Sequence, residues 1–440
     1  MVDGRRTHAA RGAIAYAACL ALIACKSSGG APPADPVKSA GDLVIDEGRQ
    51  TFRFETFGDE AFWGDTLQIH KAIEGGARGG TGAGVSPRVA LSVGLRVDSE
   101  VLPASLVAGI KAGTVNLDDP ATTIQLLDMS AVVGVKATSN GAGGLASIGI
   151  TCALCHSTVD DSVAPGIGKR LDGWPNRDLN VGAIVNLSPD LSSVAALLGV
   201  DEGTVRTVLS SWGPGKFDAE LFLDGKAFRP DGKSAATLIP AAFGLRGVNL
   251  HTWTGWGSLT QWNAFVANLE MHGKGNYTDA RLDDASRFPV AARARMGHTV
   301  NDPDLITPKL GALEFYQLAL DAPAPPQESF DPVAAARGRA VFSGPAKCAS
   351  CHVPPLYTDS GWNMHTGAEI GIDEFQSSRA PDGRYRTAPL RGLFAHTKGG
   401  FYHDGRFATL DEVVAHYDSV LALGLSAGQR SDLIEYLKSL

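Results

Sequence analysis

Apolar residues recur at helical spacing near the C-terminal end of the chain, where Leu433, Leu437 and Leu440 share one face. Ser426 and Gln429, just ahead of them, have the spacing of a capping box and mark the start of that helix. Upstream, Asp331-Pro332 reads as a helix cap followed by proline at the first helical position. It opens the helix VAAARGRAVF, which delivers the chain to Cys348. Between these two helices, Leu410, Val413 or Val414, Tyr417 and Leu421 form one apolar stripe. His416 sits about 100° around that helix from Tyr417, beside Glu412. In the first half, FGDEAFWGDTLQIHKAI reads as helical, whereas ATTIQLLDMSAVVGV fits a helix or a strand. The proline-rich Ala322–Ser329 reads as a linker. GGARGGTGAG, at 75–84, lacks the Gly-Lys-Ser/Thr of a phosphate loop and reads as a mobile loop.

The chain has 440 residues, 44% hydrophobic and 20% charged, which is enough for more than one packed core. Its formal charge of −8 argues against nucleic acid as a partner. Near the N-terminal end, Arg5, Arg6 and Arg11 precede the apolar run AIAYAACLALIAC. That run is short for a membrane span and suits the core of a signal peptide. Leu22-Ile23-Ala24-Cys25 resembles a bacterial lipobox, so residues 1–24 are read as a lipoprotein signal peptide and Cys25 as the lipid-bearing anchor. Residues 25–41 then form a flexible tether. Lys26 after the lipid-bearing cysteine points to the outer membrane, so the expected location is the periplasm or the outer membrane. The remaining boundaries are 42–321 for an N-terminal unit, 322–330 for the linker and 331–440 for a C-terminal unit.

Cys152-x-x-Cys155-His156 and Cys348-x-x-Cys351-His352 carry the strongest chemistry. This motif attaches c-type haem: two thiols bond the vinyl groups on one porphyrin edge, and the adjacent histidine reaches beneath the ring to the iron. A zinc ribbon needs its two cysteine pairs closer together. A thioredoxin-like site needs a βαβ pattern, which is absent here. Two covalently bound haem c groups are therefore expected. With Cys19 in the signal and Cys25 lipidated, all four remaining cysteines are used and no structural disulfide is left. No internal repeat is visible beyond the two motifs.

RTAPLRGL (386–393), GGFYHDGRFATLDEVVAHYD (399–418) and DLIEYLKSL resemble the bacterial di-haem cytochrome c peroxidase and MauG superfamily. The resemblance covers 331–440 closely and 150–272 loosely, and is absent from 42–149. It implies a mainly α fold of two cytochrome c-like domains, the N-terminal one enlarged by an extra segment. It also implies peroxide chemistry at the N-terminal haem, with electrons supplied through the C-terminal one. The C-terminal haem of the family commonly takes a methionine fourteen residues after a histidine matching His403. Tyr417 stands there, as in the MauG-like branch, and is the expected ligand, with Met364 and His416 as alternatives. The family's removable distal histidine is missing after Cys155-His156, although His70, Met129 or His272 could reach that iron. NLHTWTGWGSLTQWNAFVANLEMHG resembles the family's catalytic stretch. It makes Glu270 the candidate acid/base and Trp253 the candidate electron relay between the haems. The Thr-x-Pro element of the family's calcium site reads Lys398-Gly399-Gly400, which leaves calcium doubtful.

The expected function is reduction or use of hydrogen peroxide, with a small redox protein or an oxidisable substrate as electron donor. The alternative is a lipid-anchored electron-transfer cytochrome with both irons closed. The superfamily's polyisoprene-cleaving oxygenases are a third, longer-chained possibility.

Overall fold

In the computed structural model of the protein, residues 36–359, 363–396 and 398–440 are described. The leader, Cys19 and Cys25 therefore lie outside the described residues. Helix predominates, and strands pair only as two-stranded ribbons among the described residues. The predicted C-terminal elements form. Asp331 caps the helix Pro332–Ser343 by accepting from the amides of Val333 and Ala334. Ser426 and Gln429 form a reciprocal capping box on Ala427–Lys438. A further capping box, Thr409 with Glu412, starts Leu410–Val420, the helix that carries Tyr417.

The packing of these helices reveals a repeat that the sequence hides. Helix Pro332–Ser343 crosses Ala427–Lys438 at Gly338, where a β-carbon would overlap the carbonyl oxygen of Asp432 and lie 2.8 Å from Tyr436 Cβ. One turn on, the Phe342 ring packs edge-on against Tyr436, 5.2 Å between centroids. The first helix, Pro36–Phe54, meets Thr307–Ala319 in the same way. A β-carbon at Gly48 would overlap the carbonyl oxygen of Ala312 and lie 2.6 Å from Tyr316 Cβ. Phe52 packs on Tyr316 at 5.6 Å. The shared signature is Gly-Arg-x-x-Phe, at 48–52 and 338–342. Phe52 and Tyr316 belong to one buried cluster, Phe342 and Tyr436 to another. Two corrections follow. The chain does contain a second repeat, and residues 42–149 are not wholly foreign to the region around the first Cys-x-x-Cys-His motif. Their first helix forms half of its closing helix pair, and the extra segment is inserted between that helix and Cys152.

Helix formation begins at Pro36, inside the stretch read as tether. The inserted segment contains the helices Ile69–Glu74, Pro87–Ser92, Ala104–Lys111 and Pro120–Asp128. ATTIQLLDMSAVVGV resolves into both alternatives: Pro120–Asp128 is helical, and Val135–Ser139 begins a hairpin with Leu145–Ile150. That hairpin feeds directly into Thr151-Cys152. The glycine-rich 75–84 stretch makes one short 3₁₀ turn, Gly76–Arg78, and otherwise turns and loop.

Candidate functional site: two cavities with a shared wall

Each Cys-x-x-Cys-His motif opens onto a cavity. The C-terminal cavity, about 300 Å³, is lined by Cys348, Cys351 and His352. The N-terminal one, about 220 Å³, is lined by Cys152, Cys155 and His156. The four cysteines are unpaired. His156 Nδ1 lies 3.2 Å from the carbonyl oxygen of Pro240, and His352 Nδ1 lies 3.1 Å from that of Tyr357. A carbonyl only accepts, so each Nδ1 carries the proton and each Nε2 keeps its lone pair for a metal. Burial pushes the His156 pKa down to about 4 and lowers that of His352 as well, so both rings are neutral at pH 7. Two thiols and one oriented, neutral imidazole on an apolar cavity are the donor set that c-type haem requires, and both sites fit the group.

The cavities share a wall formed by Pro240, Ala241, Leu245, Trp253 and Arg386. The Trp253 indole N–H donates to the carbonyl of Leu238 at 2.7 Å, and its own carbonyl accepts from the Arg386 amide at 3.1 Å. The ring is thus fixed between the two sites.

Tyr417 lines the C-terminal cavity. Burial raises its phenol pKa, and the neighbouring Tyr402 hydroxyl partly offsets that. The two rings lie 6.1 Å apart. The alternative ligands fall elsewhere. The His416 Nε2 lies 2.8 Å from the carbonyl of Ile370, and Met364 packs toward Gly255. Neither is in the cavity wall. His403 lines the cavity and stacks on Tyr385 at 5.1 Å.

The N-terminal cavity is flanked by two π-helical turns, Ala61–Thr66 and Val266–Glu270. In each, an amide bonds five residues back: Leu67 to Phe62, and Met271 to Val266, both at 2.8 Å. Such turns are rare and concentrate at functional sites. Here the widened turn brings both Glu270 and Met271 to the wall, while Phe62, Trp63 and Leu67 reach it from the inserted segment. The Trp63 indole N–H ties the two turns together through the Met271 carbonyl at 3.1 Å. Both Glu270 carboxylate oxygens are buried without a hydrogen-bond partner. Burial, with the charges of Glu220 and Asp218, raises the Glu270 pKa well above the carboxylate range. His272 also lines this cavity, stacked on Phe62 at 3.7 Å. His70 and Met129 do not reach it.

Sequence reasoning missed several wall residues. Gln376 enters the N-terminal cavity from the C-terminal half, and Glu220 stands beside it. Arg177 and His396 line the C-terminal cavity. None sits in a spacing pattern, so local sequence gave no signal for them. Arg386 opens the RTAPLRGL stretch, and that stretch was the available clue.

No protein-family profile matches the chain. It is 30% identical over 122 residues to the methylamine utilization protein MauG of Methylorubrum extorquens, a match covering 24% of this chain and 34% of that one. It is 29% identical over 149 residues to the cytochrome-c peroxidase IdrP1 of Denitromonas iodatirespirans, covering 24% and 40%. The matches thus span well under half the length of either relative. Among solved structures, a MauG-like protein associated with microbial copper homeostasis overlaps at a TM-score of 0.29 and 17% identity, over 50% of this chain and 76% of that one. Hydrazine synthase of Kuenenia stuttgartiensis overlaps at 0.27 and 17%, over 50% and 86%. At these scores neither overlap fixes a shared fold. About a quarter of this chain is thus similar in sequence to a MauG and to a cytochrome-c peroxidase.

Proposed function

We propose that this chain is a di-haem c-type oxidoreductase that reduces hydrogen peroxide, or uses it as oxidant, in the cavity beside His156. Electrons reach it past Trp253 from the C-terminal site. The observation that carries this reading is Glu270: a buried carboxyl with both oxygens unpartnered, facing the cavity that holds Cys152, Cys155 and His156. When bound, haem supplies a redox iron that exchanges electrons with a ligand in the cavity.

The protein's own part is proton handling and placement. Reducing peroxide to two waters consumes two protons and two electrons. Glu270, protonated at rest, gives its proton to the departing peroxide oxygen and takes one back from the oxygen left behind, the role of a positioned general acid/base. Its raised pKa suits that task. Behind it, Arg379 is fully buried between Asp218 and Asp224, each 2.9 Å away, with Glu220 at the cavity wall. Arg379 and Lys226, the latter 3.8 Å from Asp224, face these three carboxylates, which leaves negative charge in excess and favours the protonated form of Glu270. Phe62, Trp63 and Leu67 of the inserted segment exclude water from the same side. Tyr417 is the proposed anionic ligand of the C-terminal iron. A small redox protein or an oxidisable substrate is the proposed donor. We also propose export with a lipid on Cys25; no described helix is long and apolar enough to cross a membrane.

His272, in the same wall, favours a second reading: an electron carrier whose N-terminal iron is closed by that ring. Electron paramagnetic resonance of the fully oxidised protein separates the two. One high-spin and one low-spin ferric haem, with peroxide turnover lost in Glu270→Gln, supports the enzyme. Two low-spin haems, both before and after half-reduction, with no fast cyanide binding, establishes the carrier.

A further inference from the structure

Among the described residues, two guanidiniums in the cavity walls have no carboxylate opposite them. Arg177 lines the C-terminal cavity and is 6% exposed. Its Nε is buried without a partner, and its Nη1 makes one long contact, 3.5 Å, to the Lys398 carbonyl. Arg386 lines both cavities. Its Nε is likewise unpartnered, and its Nη1 donates to the Leu250 carbonyl at 3.1 Å. Among the described residues neither forms an ion pair. Arg379, similarly enclosed, has two carboxylates at 2.9 Å.

Burying a charge with no counter-charge is strongly unfavourable. Burial pushes both guanidiniums down to about 10, which still leaves them cationic at neutral pH. Among the described residues no neighbouring group offsets the charge. His396 lies close enough to both arginines for burial and their charges to push it down to about 3, so it is neutral. Glu369, an acidic residue of the C-terminal wall, accepts from its own helix cap, the Thr366 amide, at 2.7 Å. The walls therefore present fixed positive charge where the bound group must bring negative charge.

We propose that Arg386 is a shared anion clamp, holding a carboxylate of the group bound in each cavity, and that Arg177 is a second clamp serving the C-terminal cavity alone. The inference rests on the di-haem reading above; the anions are then haem propionates. Arg386 also donates its backbone amide to the Trp253 carbonyl, so one residue positions the relay ring and neutralises charge on both sides of it. Fixed positive charge beside an iron stabilises the electron-richer state. Arg386 thus raises both reduction potentials, and Arg177 raises one.

The test is a spectroscopic redox titration of the two-haem holoprotein. Arg386→Gln is expected to lower the midpoint potentials of both haems, and Arg386→Lys to restore most of the loss. Arg177→Gln is expected to lower the C-terminal haem alone. If Arg386→Gln yields no holoprotein, Arg177→Gln decides: a fall confined to the C-terminal haem upholds the clamp, and unmoved potentials overturn it. A two-haem Arg386→Gln protein with one or neither potential shifted overturns the shared clamp and leaves the di-haem reading standing. A wild-type protein carrying fewer than two haems overturns both.

Discussion

Gly338 and Asp432 touch across two crossing helices so closely that a β-carbon on the glycine would overlap the aspartate's carbonyl oxygen. Gly48 and Ala312 repeat that contact in the other half. Each close crossing brings a tyrosine and a phenylalanine together beneath it. Overpacking of this kind typically costs about 1–3 kcal/mol. Gly338→Ala and Gly48→Ala should each destabilise the protein by that order. Denaturant unfolding of the holoprotein checks it, and a neutral effect at either position would refute the equivalence of the two crossings.

The two attachment sites should be independent. Replacing Cys348 and Cys351 together by alanine is expected to leave one covalent haem, and replacing Cys152 and Cys155 the other. Intact mass with a haem stain after denaturation reads this directly.

Tyr417 gives a prediction on the C-terminal iron. A hard, anionic ligand favours the ferric state. Tyr417→Met should therefore raise the midpoint potential of one haem and leave the other in place. Tyr417→Phe should change the spin state of the same haem. Spectra unaltered in both variants would show that Tyr417 only packs.

Asp59 predicts a pH effect on stability. It is fully buried, accepts from the Ile150 amide at 3.2 and 3.3 Å, and is pushed up by burial to about 9. The folded protein thus holds this proton through a range where the unfolded chain has released it. Stability should fall as pH rises from about 4 to about 9. Asp59→Asn removes that titration, so the slope across the window should shrink in urea unfolding run at a series of pH values. Asp218 and Glu270 titrate with the same sign, so some slope remains.

Trp253→Phe should slow electron exchange between the haems while leaving both spin states intact. Flash-photolysis kinetics on the half-reduced protein measures it.

What the chain order alone determined is the local chemistry. The spacing within each Cys-x-x-Cys-His motif is set by covalent reach, so both candidate attachment motifs were legible without any fold. The caps at Asp331 and Ser426 were legible for the same reason, because capping acts over three residues. Tyr417, Glu270 and Trp253 came from a resemblance in short stretches. The tertiary structure decided what lies across the chain from them. Only packing shows that Glu270 faces the cavity of His156, or that Trp253 and Arg386 stand in both walls. Packing also shows that Met364 and His416 point elsewhere. The Gly48 crossing was hidden because about a hundred residues separate Phe52 from Cys152, while only a few separate Phe342 from Cys348. An insertion destroys sequence periodicity but not a helix contact, since van der Waals overlap depends on distance in space and not along the chain. The unpaired arginines were invisible for a related reason. A missing counter-charge is a property of a surrounding, and a surrounding exists only once the chain has folded.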